Sequence, residues 1–144
     1  MGKNIVHCGS GGLGQATKIC NNMLAGINAL AAAEAMTMGE RLGVSPDILY
    51  EVISTSTGRS YIFETSNPMP DVCSTSPANN KFKPGFMAKL MLKDLRLSQA
   101  AAQDAKTSTP LGAAATAAFQ QLIDSGFGDL DTSSIIKVIK PESK

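Results

Sequence analysis

"NIVHCGSGGLGQATKICNN" (Asn4–Asn22) sets four glycines between a short apolar run and a helical pattern, and it admits two incompatible readings. As G-x-G-x-x-G, Gly9, Gly11 and Gly14 follow a strand and open a helix, as a dinucleotide pyrophosphate cradle does. As G-x-x-G-x-G-x-x-x-K-x-x-x-N, Gly9, Gly12 and Gly14 lead to Lys18 and Asn22, and the chemistry lies on the helix itself.

The cradle requires a βαβ unit of about 30 residues with an acid at the end of its second strand. Here the helical pattern does not end on schedule. About 20 residues beyond the glycines comes "AAAEAMTMGERLG", whose Glu34 sits inside a helical pattern, and no second strand follows. The cradle reading fails on context.

The helical reading has better local physics. Residues four apart share one helix face, so Gly14, Lys18, Asn22 and Gly26 form a single stripe. A glycine inside a helix costs about 1 kcal/mol relative to alanine, so two of them beside an amine and an amide leave room for a bound molecule or a close backbone. Lys18 stands about one turn from the helix start, where the dipole disfavours a cation. Partial burial as well would bring its pKa towards neutrality, as a general acid/base requires. Asn22 can donate and accept, which suits orienting a hydroxyl or a carboxylate. A solvated lysine on a polar face is the competing structural reading.

The remainder of the chain is read outward from this stripe. The 144 residues suffice for one domain, and a net charge of +1 without a basic stripe argues against nucleic-acid or membrane-surface partners. "MLAGINALAAA" (Met23–Ala33) is well short of the roughly 20 apolar residues that span a bilayer. Cys8, Cys20 and Cys73 are scattered, and His7 is the single histidine. Neither a zinc site nor a disulfide framework is supported, and a reducing compartment is expected. His7 is expected to be half-buried and structural.

An alanine-rich helix is expected over Leu13–Leu42, capped by Gly43. Ser45-Pro46-Asp47 starts a short helix through "DILYEVIST". Thr57 to Gly85 is loop-like, and its length favours a functional or packed loop. Phe86, Leu90, Leu97 and Ala101 give helical spacing from Phe86 to about Ala105. Thr109-Pro110 begins another helix that Gly126 ends, and Asp131 caps a last one stopped by Pro141. The expectation is an all-α helical bundle built around one long N-terminal helix. "KNIVHC" (Lys3–Cys8) is the sole convincing strand, and a single strand cannot form a sheet. Its unpaired edge wants a neighbour, so the chain reads as the C-terminal piece of something larger, with Met1 near a domain boundary.

At this point the residues resemble a known family. "GSGGLGQATKICNNM" is similar to the substrate motif of the β-hydroxyacid dehydrogenases, matched at Gly9, Gly12, Gly14, Lys18 and Asn22. "EAMTMGERLGVSPDILYEVI", "TGRSY", "NPMPDV", "SPANNKFKPGF" and "MLKDLRLSQ" follow in the order expected of the 3-hydroxyisobutyrate dehydrogenase branch.

The resemblance implies a two-domain oxidoreductase. An N-terminal Rossmann domain would bind NAD (NADP being possible), and residues 9–144 would be the helical substrate and dimerisation domain. Residues 1–8 would carry the last strand of the absent domain. By position, Lys18 would be the catalytic acid/base, Asn22 would hold the substrate, and the Gly11-Gly12 backbone would let it approach. Lys93 would reach the cofactor and Phe86 would pack near its nicotinamide. The plainer readings are a solvated lysine and ordinary core packing. Asp94 is read as structural, orienting its neighbours.

The resemblance further implies oxidation of 3-hydroxyisobutyrate to methylmalonate semialdehyde in valine breakdown, and a homo-oligomer. The location would be the mitochondrial matrix in a eukaryote or the cytoplasm in a bacterium. The serine-glycine-glycine loop that binds the substrate carboxylate belongs to the absent domain, so this chain alone is expected to be inactive. Glyoxylate, succinic semialdehyde and tartronate semialdehyde reductases are the near neighbours. A non-catalytic oligomerisation module is the rival from another class, and such a scaffold has no need for Lys18 and Asn22 on one stripe.

Overall fold

A computed structural model describes Asn4 to Pro141 as an all-α fold organised on one helix, α1 (Leu13–Arg41). The chain enters α1 through Gly12 at φ 90° and leaves it through Gly43 at φ 92°. Both lie in the left-handed region, where a Cβ is strained. The 29 residues of α1 carry no proline, and at 1.5 Å each they extend about 44 Å. Helices α2 (Pro46–Ser54), α3 (Tyr61–Thr65), α4 (Ala88–Asp104), α5 (Pro110–Asp124) and α6 (Ile136–Ile139) pack around it. Proline stands at the first position of α2 and α5, where no backbone N–H is missed.

Small residues set the packing distance. Ala29, Ala32, Ala33 and Met36 of α1 meet Met91, Leu92 and Leu95 of α4 and Ala115, Phe119 and Leu122 of α5 in one core, joined by Ile135 and Ile136. Side-chain area on α1 is modest, so α4 and α5 lie close to its backbone. A Cβ on Gly26 would stand 3.0 Å from Leu95 Cδ2 and 3.1 Å from Met91 Sδ. Gly39 does the same service for Leu49 of α2.

Two expectations need correction. The strand over Lys3–Cys8 is not formed over its described part, Asn4–Cys8. Ile5 and Val6 are 88% and 78% exposed, and a strand exists only where a neighbour completes its ladder. Lys3 lies outside the described residues. His7 is exposed rather than half-buried, its Nδ1 accepting from Gly9 N at 3.3 Å. The helix expected from Phe86 to about Ala105 is α4, Ala88–Asp104, with Leu90 and Leu97 on its outward face. The buried face is Ala88, Met91, Leu92, Leu95 and Ser98, a parallel i, i+3, i+4, i+7 series.

The long connection from Thr57 to Gly85 is packed, and it contains α3 and a 3-10 turn at Pro77–Asn80. Asn67, fully buried, donates to Phe63 O at 3.1 Å and accepts from Met69 N at 3.0 Å. Ser76 Oγ donates to Asn67 O at 2.6 Å, and Thr75 Oγ1 donates to Thr65 O at 2.8 Å. Polar side chains thus replace the backbone ladder that an irregular segment lacks. Among the described residues, no helix is long and apolar enough to cross a membrane.

Candidate active site

Lys18 and Asn22 stand one turn apart on α1, and α4 crosses beside them with Lys93 and Asp94. These four side chains, with Gln15, Ile19 and Leu97, line one cavity of about 90 Å³. Asn22 Nδ2 donates to Asp94 Oδ2 at 2.6 Å. Asn21 Nδ2 reaches Asn22 Oδ1 at 3.3 Å. A carboxylate accepts only, so the bond to Asp94 settles which end of the Asn22 amide is the donor end there. The second N–H of Nδ2 and part of the Oδ1 acceptor capacity are left for another molecule.

Lys18 and Lys93 are exposed and, among the described residues, neither has a hydrogen-bond or ion-pair partner. The partial burial considered for Lys18 is absent in this chain. Two ammonium groups against one carboxylate leave the cavity with an excess of positive charge, suited to an anionic ligand. An amine for proton transfer, an amide for orientation and a second cation converge on a space large enough for a small acid's reacting end.

The other singled-out residues lie elsewhere. Gly12 lines a separate apolar groove of about 510 Å³ between the first half of α1 and the end of α4, sharing only Gln15 and Ile19 with the cavity. Gly11 has open space around it. Phe86 precedes α4, whose N-cap is Met87, and the residue is 37% exposed, outside the cavity lining. Its backbone is held at both ends: N donates to Asp131 Oδ2 at 2.9 Å, and O accepts from Thr132 N at 2.9 Å. Gly14 faces open space, whereas Gly26, at the other end of the stripe, is filled by Leu95 and Met91. The stripe is therefore open at its Gly14 end and closed by packing at its Gly26 end.

Gln15, Ile19 and Leu97 were not anticipated. Gln15 and Ile19 stand three residues before Lys18 and Asn22, and Leu97 stands four after Lys93. Helical spacing therefore points to them once the stripe is accepted.

A protein family described as NAD-binding of NADP-dependent 3-hydroxyisobutyrate dehydrogenase matches residues 12–139, nearly the whole helical fold. The chain belongs to this family. The mitochondrial 3-hydroxyisobutyrate dehydrogenases of Drosophila melanogaster and Homo sapiens are 41% and 40% identical to it over 99% of its length. The NAD-dependent L-serine dehydrogenase of Pseudomonas aeruginosa is 40% identical over 98%. Among solved structures, a Mycobacterium tuberculosis 3-hydroxyisobutyrate dehydrogenase with L-serine superposes with a TM-score of 0.90, at 41% identity over 95% of this chain. The chain spans less than half the length of these relatives, 44%, 42% and 47% of the three curated proteins and 47% of the solved one. What matches is thus the helical portion of a family of hydroxyacid dehydrogenases.

Proposed function

We propose that this chain is the helical, proton-handling portion of an NAD-dependent dehydrogenase of 3-hydroxyacids. The carrying observation is the convergence of Lys18, Asn22 and Lys93 on one cavity, with Asn22 held by Asp94 at 2.6 Å. As the neutral amine, Lys18 receives the hydroxyl proton at Nζ while the hydroxyl carbon gives up its hydride to the cofactor, and as the ammonium it returns that proton to the carbonyl oxygen in the reverse direction. Asn22 orients the substrate through its remaining N–H and Oδ1. Lys93 keeps a positive charge beside the cavity in either protonation state of Lys18, which favours an acidic substrate.

The residues present fit one end of a nicotinamide cofactor and not the whole of it. Lys93 offers an exposed ammonium with no partner among the described residues, lining the cavity where it would contact the cofactor. The pyrophosphate has no cradle here, since the glycines run directly into a 29-residue helix. When bound, the cofactor supplies the hydride acceptor. Binding it whole would require a nucleotide-binding domain in addition to this helical fold, and the 144 residues by themselves are expected to be inactive.

By its relatives the first substrate is 3-hydroxyisobutyrate, oxidised to methylmalonate semialdehyde in valine catabolism. L-serine is the second reading, favoured by the L-serine dehydrogenase among the relatives and by the L-serine of the solved structure. Both are 3-hydroxyacids on a three-carbon backbone. NAD is the expected cofactor, with NADP possible, and the location follows the relatives: mitochondrial in a eukaryote, cytoplasmic in a bacterium. Self-association is part of the same reading.

The test uses the full-length protein containing this sequence. Cofactor reduction is measured with 3-hydroxyisobutyrate and with L-serine, wild type beside Lys18→Ala, across pH. Turnover in the wild type that collapses in the variant, at unchanged folding, supports the reading. Equal turnover in both leaves the stripe structural and sinks it.

A further inference from the structure

Ile19 holds a boundary position. It follows Lys18 directly on α1, and it lines both the cavity of about 90 Å³ and the apolar groove of about 510 Å³ beside it. Of the seven residues around the cavity, Ile19 and Leu97 alone are apolar. Leu97 is 43% exposed, whereas Ile19 is half-buried. Gln15 borders both spaces too, but it is exposed and unbranched, so its side chain can change rotamer. A β-branched side chain inside a helix is held almost entirely to one χ1 rotamer. Ile19 is therefore the fixed part of the partition. Beyond it the groove is lined by small residues, Ala16, Ala101, Ala102 and Ala105.

From this placement we infer that Ile19 sets the size of the group accepted at C2 of the 3-hydroxyacid, limiting it to about a methyl. The inference deepens the dehydrogenase reading and rests on it.

With the substrate hydroxyl at Lys18 Nζ, C2 is one bond beyond the reacting carbon. In so small a cavity its substituent must meet the wall. An apolar substituent set against Lys18, Asn22, Lys93 or Asp94 would desolvate polar groups without replacing their hydrogen bonds, which costs free energy. Ile19 and Leu97 carry no such penalty, and the half-buried Ile19 shields the substituent from water more completely. A methyl gains contact there. A propyl group collides with a side chain that the helix holds in place, and overpacking of this kind is destabilising. The space that would take the longer chain lies on the other side of the partition. Trimming Ile19 joins the cavity to the groove, so selectivity shifts from small to large C2 substituents.

The test uses the full-length protein containing this sequence, with circular dichroism to verify folding. Cofactor reduction is measured with 3-hydroxyisobutyrate and with its homologue bearing propyl in place of the C2 methyl. Wild type is expected to prefer the methyl compound. Ile19→Ala should raise the ratio of kcat/KM for propyl over methyl on the order of tenfold or more, the scale on which a single methylene group acts in an apolar pocket. Ile19→Val, a smaller trim that keeps the branch, should raise it by less, and Ile19→Phe should lower it. A residue that only supports the fold would depress both substrates together and leave the ratio where it was. A wild type indifferent to the substituent, or folded variants with an unshifted ratio, overturns the inference and leaves the dehydrogenase reading standing. No turnover of either compound by the wild type, or equal turnover in Lys18→Ala, overturns that reading and the inference with it.

Discussion

The Asn22 amide donates to the Asp94 carboxylate at 2.6 Å, across the contact between α1 and α4 and 72 residues apart in the chain. This bond ties the orientation of a site residue to the packing of two core helices.

Removing the acceptor should therefore cost both stability and orientation. Asp94→Ala is expected to lower unfolding free energy by about 1.5–3 kcal/mol, the range for a hydrogen bond to a charged group. Asn22→Ala should cost a similar amount. The double variant should lose less than the sum, since the two residues share one bond. Urea denaturation of the four chains checks this, and strict additivity would mean the bond contributes nothing.

The two glycines of the stripe should respond in opposite directions. Gly14 opens onto free space, so Gly14→Ala should stabilise the chain by about 0.5–1 kcal/mol through helix propensity. Gly26→Ala sets a methyl against Leu95 and Met91 at 3.0–3.2 Å. Its overpacking cost of about 1–3 kcal/mol outweighs the same propensity gain. Thermal melts of the two variants should move apart, upward for Gly14 and downward for Gly26.

Asp131 is a buried carboxylate serving several donors. It accepts from Gly85 N at 3.0 Å, Phe86 N at 2.9 Å, Ser133 N at 2.9 Å and Ser133 Oγ at 2.8 Å. Asp131→Ala orphans backbone donors on both the entry to α4 and the turn at Thr132–Ile135. A loss of about 3 kcal/mol or more is expected, since each stranded buried donor costs about 1–3 kcal/mol. Accelerated amide exchange at Gly85, Phe86 and Ser133 would be its local signature.

The Cys73 and Tyr50 pair predicts a pH dependence of stability. Burial pushes the Cys73 thiol up, but hydrogen bonds from the Thr75 hydroxyl and backbone, and from Tyr50, more than reverse this. The thiol lies below its ordinary 9.0. Burial and the neighbouring Cys73 push the Tyr50 phenol above its ordinary 10.0. With the thiol depressed, the unfolded chain binds more protons, so stability rises with pH towards 9.0 and is lost as pH falls through the folded value. With the phenol raised, the sign is opposite: its contribution holds below 10.0 and disappears as pH climbs through the folded value. Urea midpoints should therefore rise towards pH 9.0 and decline above 10.0, and Cys73→Ala should flatten the rise.

The all-α class, the long helix with its ends, and the stripe carrying Lys18 and Asn22 were all legible in the amino-acid order. These depend on short-range physics: proline-free alanine-rich propensity, glycine at left-handed caps, proline at first turns, and the 3.6-residue repeat that aligns positions four apart. The same repeat could not say which face of α4 is inward, because leucines stand on both faces. The Met91–Leu95 face is inward because it packs on α1, where Gly26 leaves room for Leu95 and Met91, and on the Ala115, Phe119 and Leu122 side of α5.

That Asp94 meets Asn22, that Lys93 shares the Lys18 cavity, and that Phe86 stands outside it emerge only from the folded arrangement. Each depends on where a second helix crosses the first, and residues 72 apart in sequence leave no local periodicity that reports the crossing. Asn4–Cys8 marks the same limit. A β-pattern is a property of a segment, but a strand is a property of a pair, and no described neighbour completes its ladder.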